Sequence, residues 1–96
     1  MPVETMDYLA AVERMLRAAG RRAGDGDEFE LSGLVGLHGV LEAATATAIR
    51  DWLRMGRSWS DVGRALGVTR TAAHARWAQR VAALEGREHD RRLHHE

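Results

Sequence analysis

One short stretch of the chain brings an arginine, a threonine, a histidine and an alanine together within six positions, Arg70, Thr71, His74 and Ala75. An arginine guanidinium can donate two hydrogen bonds to guanine, a threonine offers a hydroxyl to a base or meets a thymine methyl, and an alanine can contact a thymine methyl. A histidine close to such an arginine adds ring nitrogens that can donate or accept. We therefore expect base contacts from Arg70, Thr71, His74 and Ala75, with an ordinary surface histidine as the alternative role of His74.

Six further residues near this stretch are suited to phosphate. Guanidinium groups pair with phosphate oxygens and serine hydroxyls donate hydrogen bonds to them, which positions a protein on a duplex without reading its sequence. These residues are Arg57, Ser58, Ser60, Arg64, Arg76 and Arg80. Arg76 has an alternative interpretation, because its side chain can also lie along the surface of the domain.

The charges of the chain are segregated, although its formal net charge is zero. Residues 1–49 contain four arginines and eight carboxylates, whereas residues 50–84 contain seven arginines and two aspartates. A local excess of arginine attracts a polyanion even when the whole chain is neutral. This pattern favours double-stranded DNA as the partner of the second half.

Helices must position these residues, because apolar positions recur every three or four residues and strand-like runs are scarce. In the first half, Thr5 can cap a helix over residues 6–19 that Gly20 ends. The polar residues 21–30 form a connector. Residues 31–55 form one long helix, or two helices joined near Gly39.

Gly56 can stop the long helix, and after it the residues that can begin and end helices follow one another closely. Ser58 or Ser60 can cap a short helix that ends at Leu66, Gly67 can adopt the positive φ of a sharp turn, and Thr69 can cap a last helix that reaches residue 84. We expect an all-α fold of four to five helices around one core, with a carboxy-terminal helix-turn-helix. It divides into an acidic helix and connector (1–30), a long helix plus the helix-turn-helix (31–84), and a disordered tail (85–96).

The helix pair has its own apolar set, which should close a small core and leave the remaining side chains outside. The set consists of Val62, Leu66, Val68, Ala73 and Trp77. We expect Arg70, Thr71, His74 and Ala75 on the face opposite Ala73 and Trp77, where the first turn of the last helix would enter the major groove. Core packing is also the favoured role of Trp52, Trp59 and Trp77, over a platform that stacks single-stranded bases.

Residues 49–77, about a third of the chain, carry a family pattern in Arg54, Gly56, Ser58, Trp59, Val62, Gly63, Leu66, Gly67, Val68, Thr69, Arg70, Ala72, Ala73, Arg76 and Trp77. This stretch resembles the helix-turn-helix domains of small bacterial DNA-binding regulators. The resemblance implies the DNA-binding module of a transcriptional regulator, or of a related chromosome or plasmid protein, usually dimeric. Gly63 departs from the alanine that is commoner in such units, which lowers helix stability.

The apolar stripe of the long helix looks wider than one short partner helix can cover, so we predict a homodimer. The first helix and the front of the long helix would form its interface. Two recognition helices would then reach successive major-groove turns, about 34 Å apart, at a pseudo-palindromic site. The alternative is a protein-interaction module that grips a partner such as a polymerase or sigma subunit, with the acidic half as contact surface.

Other classes of protein find less support in the residues. The chain has no cysteine, which excludes thiolate catalysis and Cys-ligated metals. No nucleophile with a base and no paired carboxylates assemble, so we expect no enzyme, no cofactor and no metal. A helical mutase-like enzyme with converging arginines is disfavoured, because these arginines already belong to the motif. The absence of a signal peptide or a long apolar run predicts a cytoplasmic, nucleoid-associated protein without a membrane partner.

Overall fold

The computed structural model describes residues 3–94, and nearly all of them are helical. The four helices are α1 (Val3–Gly24), α2 (Glu28–Arg54), α3 (Trp59–Leu66) and α4 (Arg70–His94). Residues 3–94 contain no β-strand. The predicted all-α class with four to five helices is therefore confirmed, with four.

The chain divides into two compact units, and the buried core found among the described residues lies in one of them. The amino-terminal unit extends to Gly39 and the carboxy-terminal unit begins at Val40, so that the boundary falls within α2. All of the buried residues in the range 4–93 belong to the carboxy-terminal unit.

In the amino-terminal unit, α1 is longer and the connector shorter than predicted. The helix does not end at Gly20 but continues to Gly24, where Arg21 and Arg22 lie in the last turn and complement the negative end of the helix dipole. The expected ten-residue connector is reduced to residues 25–27. The Asp27 carboxylate accepts hydrogen bonds from the backbone of Phe29 (3.0 Å) and Glu30 (3.1 Å), and this cap starts α2 three residues early.

The carboxy-terminal unit has a small buried core. Its members are Ala46, Ile49, Val62, Ala73 and Val81, from α2, α3 and α4. Trp52, Trp59 and Trp77 are half-buried and pack against this core, as the sequence predicts. Two predicted core residues are placed differently, since Leu66 is 40% and Val68 46% exposed. Leu66 is the last residue of α3, and Val68 lies in the turn that joins α3 to α4.

The tail was expected to be disordered from residue 85, but α4 remains helical to His94. Ion pairs explain the difference. Glu85 binds Arg54 (2.8 Å), and Glu88 binds both Arg54 (2.7 Å) and Arg50 (2.5 Å). These contacts attach the second half of α4 to α2. The histidine and glutamate at positions 95 and 96 lie outside the described residues.

Candidate nucleic-acid interface

The first helix of the candidate interface begins with a reciprocal cap. The Ser58 hydroxyl accepts a hydrogen bond from the Asp61 backbone (3.2 Å), and the Asp61 carboxylate accepts one from the Ser58 backbone (2.8 Å). The backbone and hydroxyl of Ser58, and then Arg64 and Arg57, hold the pKa of Asp61 below its ordinary value. The cap that we predicted for Ser58 or Ser60 therefore belongs to Ser58.

A three-residue turn joins α3 to α4. Gly67 adopts a φ of +72°, in the left-handed region, and the Val68 N–H donates to the Gly63 carbonyl at 2.9 Å. The Thr69 hydroxyl accepts a hydrogen bond from the Ala72 N–H at 3.0 Å and caps α4. The turn at Gly67 and the cap at Thr69 are thus as predicted, and Gly56 follows the end of α2 with a φ of +95°.

Gly63 allows this turn to lie directly against α3. A Cβ on Gly63 would come within 2.8 Å of the Val68 carbonyl oxygen and 3.0 Å of the Thr69 carbonyl carbon. Both atoms belong to the backbone and have little freedom to move away. Gly63, at a position where helix-turn-helix units generally carry alanine, is therefore required by the close approach of the turn in this chain.

The four predicted base-contacting residues are all exposed near the start of α4. Arg70 and Thr71 occupy its first turn, followed by His74 and Ala75. The expectation that all four face away from the core holds less well for His74, whose ring packs edge-on against Trp59 with 5.0 Å between centroids. The reason is helix geometry, because a residue three positions before Trp77 shares its side. Arg70, seven positions before Trp77, lies on that side as well and not on the opposite one, but it is exposed at the first position of α4.

The predicted phosphate-contacting residues fall into different environments. Ser60 is half-buried, and the Ser58 hydroxyl is engaged in its cap, where it also lies 3.1 Å from Asp61 Oδ2. The Arg57 guanidinium lies over the Trp52 ring at 4.1 Å, and Arg64 pairs with Asp61. The two serines are therefore less available to a phosphate than the two arginines.

Arg76 and Arg80 share one carboxylate on α2. Glu42 Oε1 lies 3.0 Å from Arg76 Nη2 and 2.8 Å from Arg80 Nη2. Both guanidinium groups also lie near the Trp77 ring, at 5.0 and 5.6 Å from its centroid. Of the two interpretations of Arg76, this arrangement matches the one in which it lies along the domain surface.

Carboxylates that the sequence pattern did not reveal neutralise much of the basic segment. Arg50, Arg54, Arg64, Arg76 and Arg80 each pair with a carboxylate, whereas Arg57 and Arg70 pair with none in the part of the chain described. Among the arginines of residues 50–84, the positive charges that no ion pair offsets in the part of the chain described are therefore those of Arg57 and Arg70. Leu84 and Glu88 continue the spacing of Trp77 and Val81, and this was the signal that α4 extends to its partners.

An apolar groove of about 340 Å³ lies beside the turn. Its lining consists of Leu66, Val68, Ala72, Ala73, Arg76 and Trp77. The exposure of Leu66 and Val68 is accounted for by this groove. It gives the α3–α4 pair a second kind of surface, next to the cationic one.

Residues 3–94 show no cluster of three histidine, aspartate or glutamate side chains arranged to hold a metal ion. Within the same residues, no helix combines the length and the apolar character needed to cross a membrane. Comparisons of the chain with models of protein families, with curated protein sequences and with solved structures find no match. A function must therefore be inferred from the geometry of the α3–α4 pair.

Proposed function

We propose that the α3–α4 pair binds double-stranded DNA sequence-specifically and that the chain serves as a transcriptional regulator. One observation carries this proposal. At the start of α4, residues 70–72 are exposed, Arg70 has no carboxylate partner among the described residues, and a tight turn holds this end of the helix against α3. A helix presented in this way can enter the major groove with its first turn.

The charges at the start of α4 support the same proposal. The first turn of α4 contains no acidic residue, whereas α1, α2 and α3 each carry at least one there. The positive end of the α4 dipole is thus left uncompensated by a carboxylate and adds to the charge of Arg70. We expect Arg70 to donate to a guanine edge and Thr71 to contact the neighbouring base.

Phosphate contacts would come from the arginines around this turn. Arg57 precedes α3 and Arg64 lies within it, while Arg76 and Arg80 keep a net positive charge because two guanidinium groups share the single Glu42 carboxylate. Phosphate contacts of this kind orient a helix in the groove, while the bases supply the sequence preference. The base contacts proposed for His74 and Ala75 complete the surface.

The test begins with the selection of bound duplexes from a random library, followed by fluorescence anisotropy on the recovered sequence. We expect Arg70→Ala to lower affinity for that sequence about 10- to 100-fold and to relax the preference at one position. Arg64→Ala should lower the affinity for all DNA sequences to the same extent. Arg87→Ala, also exposed on α4 but far along the helix, is the matched control and should change affinity little.

The dependence on salt distinguishes this proposal from its rival. Each arginine that binds a phosphate releases condensed counterions, so DNA affinity should fall steeply as the salt concentration rises. With four such arginines, the expected fall between about 50 and 200 mM salt is roughly 100-fold. A library that yields no enriched sequence, or an Arg70→Ala protein that binds like the wild type, contradicts the proposal.

The second candidate is a protein-interaction module, and the groove beside the turn favours it. Leu66 and Val68 expose apolar surface there, and a partner side chain could fill the 340 Å³. Binding through such a groove would be insensitive to salt and would be abolished in Val68→Asp, while Arg70→Ala would leave it intact. These two variants therefore separate the DNA-binding and protein-binding functions.

A further inference from the structure

The end of α2 is a helix-terminating motif that brings the chain back onto Trp52. Gly56 adopts its positive φ of +95°, its N–H donates to the Leu53 carbonyl at 3.0 Å, and the Arg57 N–H donates to the Trp52 carbonyl at 3.1 Å. These two hydrogen bonds form a Schellman motif, in which the residue after the left-handed glycine commonly packs against the residue whose carbonyl it binds. The backbone therefore places the side chains of Arg57 and Trp52 together.

The two side chains meet through charge and ring. The Arg57 guanidinium carbon lies over the Trp52 ring, 4.1 Å from its centroid. A guanidinium in this position is attracted to the negative face of the indole, and tryptophan is the aromatic residue that binds cations best. Arg57 is exposed, so the N–H donors that the ring does not cover remain accessible to a ligand.

No carboxylate competes for this guanidinium. Arg76 and Arg80 also lie near a tryptophan ring, but they share the Glu42 carboxylate. Arg57 has no ion pair in the part of the chain described. Among the contacts between arginines and rings in residues 3–94, the one at Trp52 thus holds a cation whose charge no ion pair offsets.

The position of this cation in the chain connects it to the candidate interface. Arg57 directly precedes Ser58, the N-cap residue of α3. A long, free side chain loses rotamer freedom when it binds a phosphate, and this loss lowers affinity. A guanidinium that already rests on a ring loses less of that freedom, because its orientation is set before the ligand arrives.

We propose that Trp52 is a positioning residue, which holds the Arg57 guanidinium in place for a phosphate of the DNA backbone. Trp52 itself would touch no DNA and would act through Arg57 alone. This role is additional to the packing of Trp52 against the core. It rests on the proposed DNA-binding function of the α3–α4 pair and assigns to that function a residue of α2.

The first experiment examines the free protein by NMR. Protons held above an aromatic ring resonate upfield, because the ring current opposes the applied field. The Hδ and Hε resonances of Arg57 should therefore lie upfield of those of Arg64, which has no ring contact among the described residues. This displacement should disappear in Trp52→Leu. Arg57 resonances that coincide with those of Arg64 overturn the proposal, whether or not the chain binds DNA.

The second experiment is a double-mutant cycle on DNA affinity. Fluorescence anisotropy at low salt with a short mixed-sequence duplex is sufficient, because a phosphate contact does not depend on base sequence. Arg57→Ala should lower the affinity about tenfold and reduce the slope of log affinity against log salt by about one. Trp52→Leu should lower the affinity about two- to fivefold. In the Arg57→Ala background, Trp52→Leu should change nothing further.

Two further variants separate this role from a structural one. Leu53, beside Trp52 on α2, is half-buried against the same core, so Leu53→Ala should lower stability but leave DNA affinity unchanged. Trp52→Phe keeps an aromatic side chain in the core and does not depend on the leucine variant remaining folded. It should retain part of the upfield displacement and lose less affinity than Trp52→Leu, because phenylalanine binds cations more weakly than tryptophan.

The outcomes of the cycle distinguish this proposal from the function on which it rests. If Trp52→Leu lowers DNA affinity equally with and without Arg57, Trp52 acts only through the fold and the proposal is overturned. An Arg57→Ala protein that binds DNA like the wild type also overturns it, although DNA binding by the α3–α4 pair then stands. A wild-type chain that binds no duplex contradicts the proposed function, and this role of Trp52 with it.

Discussion

The two units of this chain use the same helical repeat of apolar residues with different results. In the carboxy-terminal unit, five apolar residues are buried, and ion pairs join α2 to α4. In the amino-terminal unit, none of residues 4–39 is buried, and the one ion pair found there joins Glu13 to Arg17 within a single helix turn. Similar periodicity therefore does not imply a similar source of stability.

This contrast indicates which unit can fold by itself. Burial of apolar surface is the main favourable contribution to folding, and the carboxy-terminal unit obtains it from its own three helices. Residues 4–39 of the amino-terminal unit include no buried residue, so this contribution is much smaller there. Substitutions in each unit can test this contrast.

The largest effect is expected for a core truncation in the carboxy-terminal unit. Ile49 is 5% exposed, so Ile49→Ala should lower the free energy of unfolding by about 2–5 kcal/mol, at any protein concentration. Leu16 is 40% exposed, and Leu16→Ala should lower the free energy of unfolding by less than about 1 kcal/mol. Urea denaturation of both variants measures the two losses. Equal losses of free energy would remove the contrast between the units.

A smaller effect is expected at Gly63. Alanine normally stabilises a helix relative to glycine, but here its methyl group meets the backbone of the turn, so Gly63→Ala should destabilise by about 1–3 kcal/mol. Gly86 in α4 has open space around its Cβ position, and Gly86→Ala should stabilise by up to about 1 kcal/mol. The melting temperatures of the two variants should therefore shift in opposite directions from that of the wild type. A stabilised Gly63→Ala protein would show that the turn does not lie against α3.

Acid should act mainly on the carboxy-terminal unit. Hydrogen bonds from Ser58 lower the pKa of Asp61, and those from Arg54 lower the pKa of Glu88. A carboxylate with a lowered pKa in the folded state contributes stability that is present above its unfolded pKa, near 4, and is lost as the pH falls through the folded value. Asp61→Asn/Glu88→Gln should lower stability at pH 7 and flatten its decline below about pH 4.

The control for this acid prediction is Asp90→Asn, on the same helix as Glu88 but without an ion pair among the described residues, which should leave stability unchanged. Melting temperatures between pH 7 and pH 3 provide the measurement. If the double variant loses stability with acid as steeply as the wild type, then the two carboxylates do not cause the loss of stability in acid.

The smallest effect is expected for the carboxylate shared by two arginines. Glu42→Gln releases Arg76 and Arg80, so DNA affinity should rise a few-fold while stability changes by less than about 1 kcal/mol. Glu30→Gln, on the same helix but in the amino-terminal unit, serves as the control and should leave DNA affinity unchanged. A drop in DNA affinity for Glu42→Gln would instead assign Glu42 a role in orienting the arginines.

Features set by neighbouring residues were predictable from the sequence. The cap at Ser58, the left-handed turn at Gly67 and the cap at Thr69 each depend on residues within a few positions, and all are found. The spacing of Val81, Leu84 and Glu88 indicates that α4 continues past residue 84, but the ion pairs that attach this part of it to α2 were not predictable in this way. They join Arg54 to Glu85, 31 residues apart, and Arg50 to Glu88, 38 residues apart.

The same limit applies to the candidate site. The exposure of Arg70 and Thr71 follows from their place in the first turn of a capped helix, so it could be expected. The neutralisation of Arg76 and Arg80 could not, because Glu42 reaches them from a different helix. The roles of these residues toward DNA stay predictions until binding is measured.

Because α4 is a single uninterrupted helix, a small tilt at one place along it displaces its distant end. Arg70 lies fifteen residues before Glu85, a distance of about 22 Å along the axis, so a tilt of one degree about the Arg54 attachment displaces the first turn by roughly 0.4 Å. Substitutions at Arg54 or Glu85 should therefore misalign the leading end of α4 without touching it.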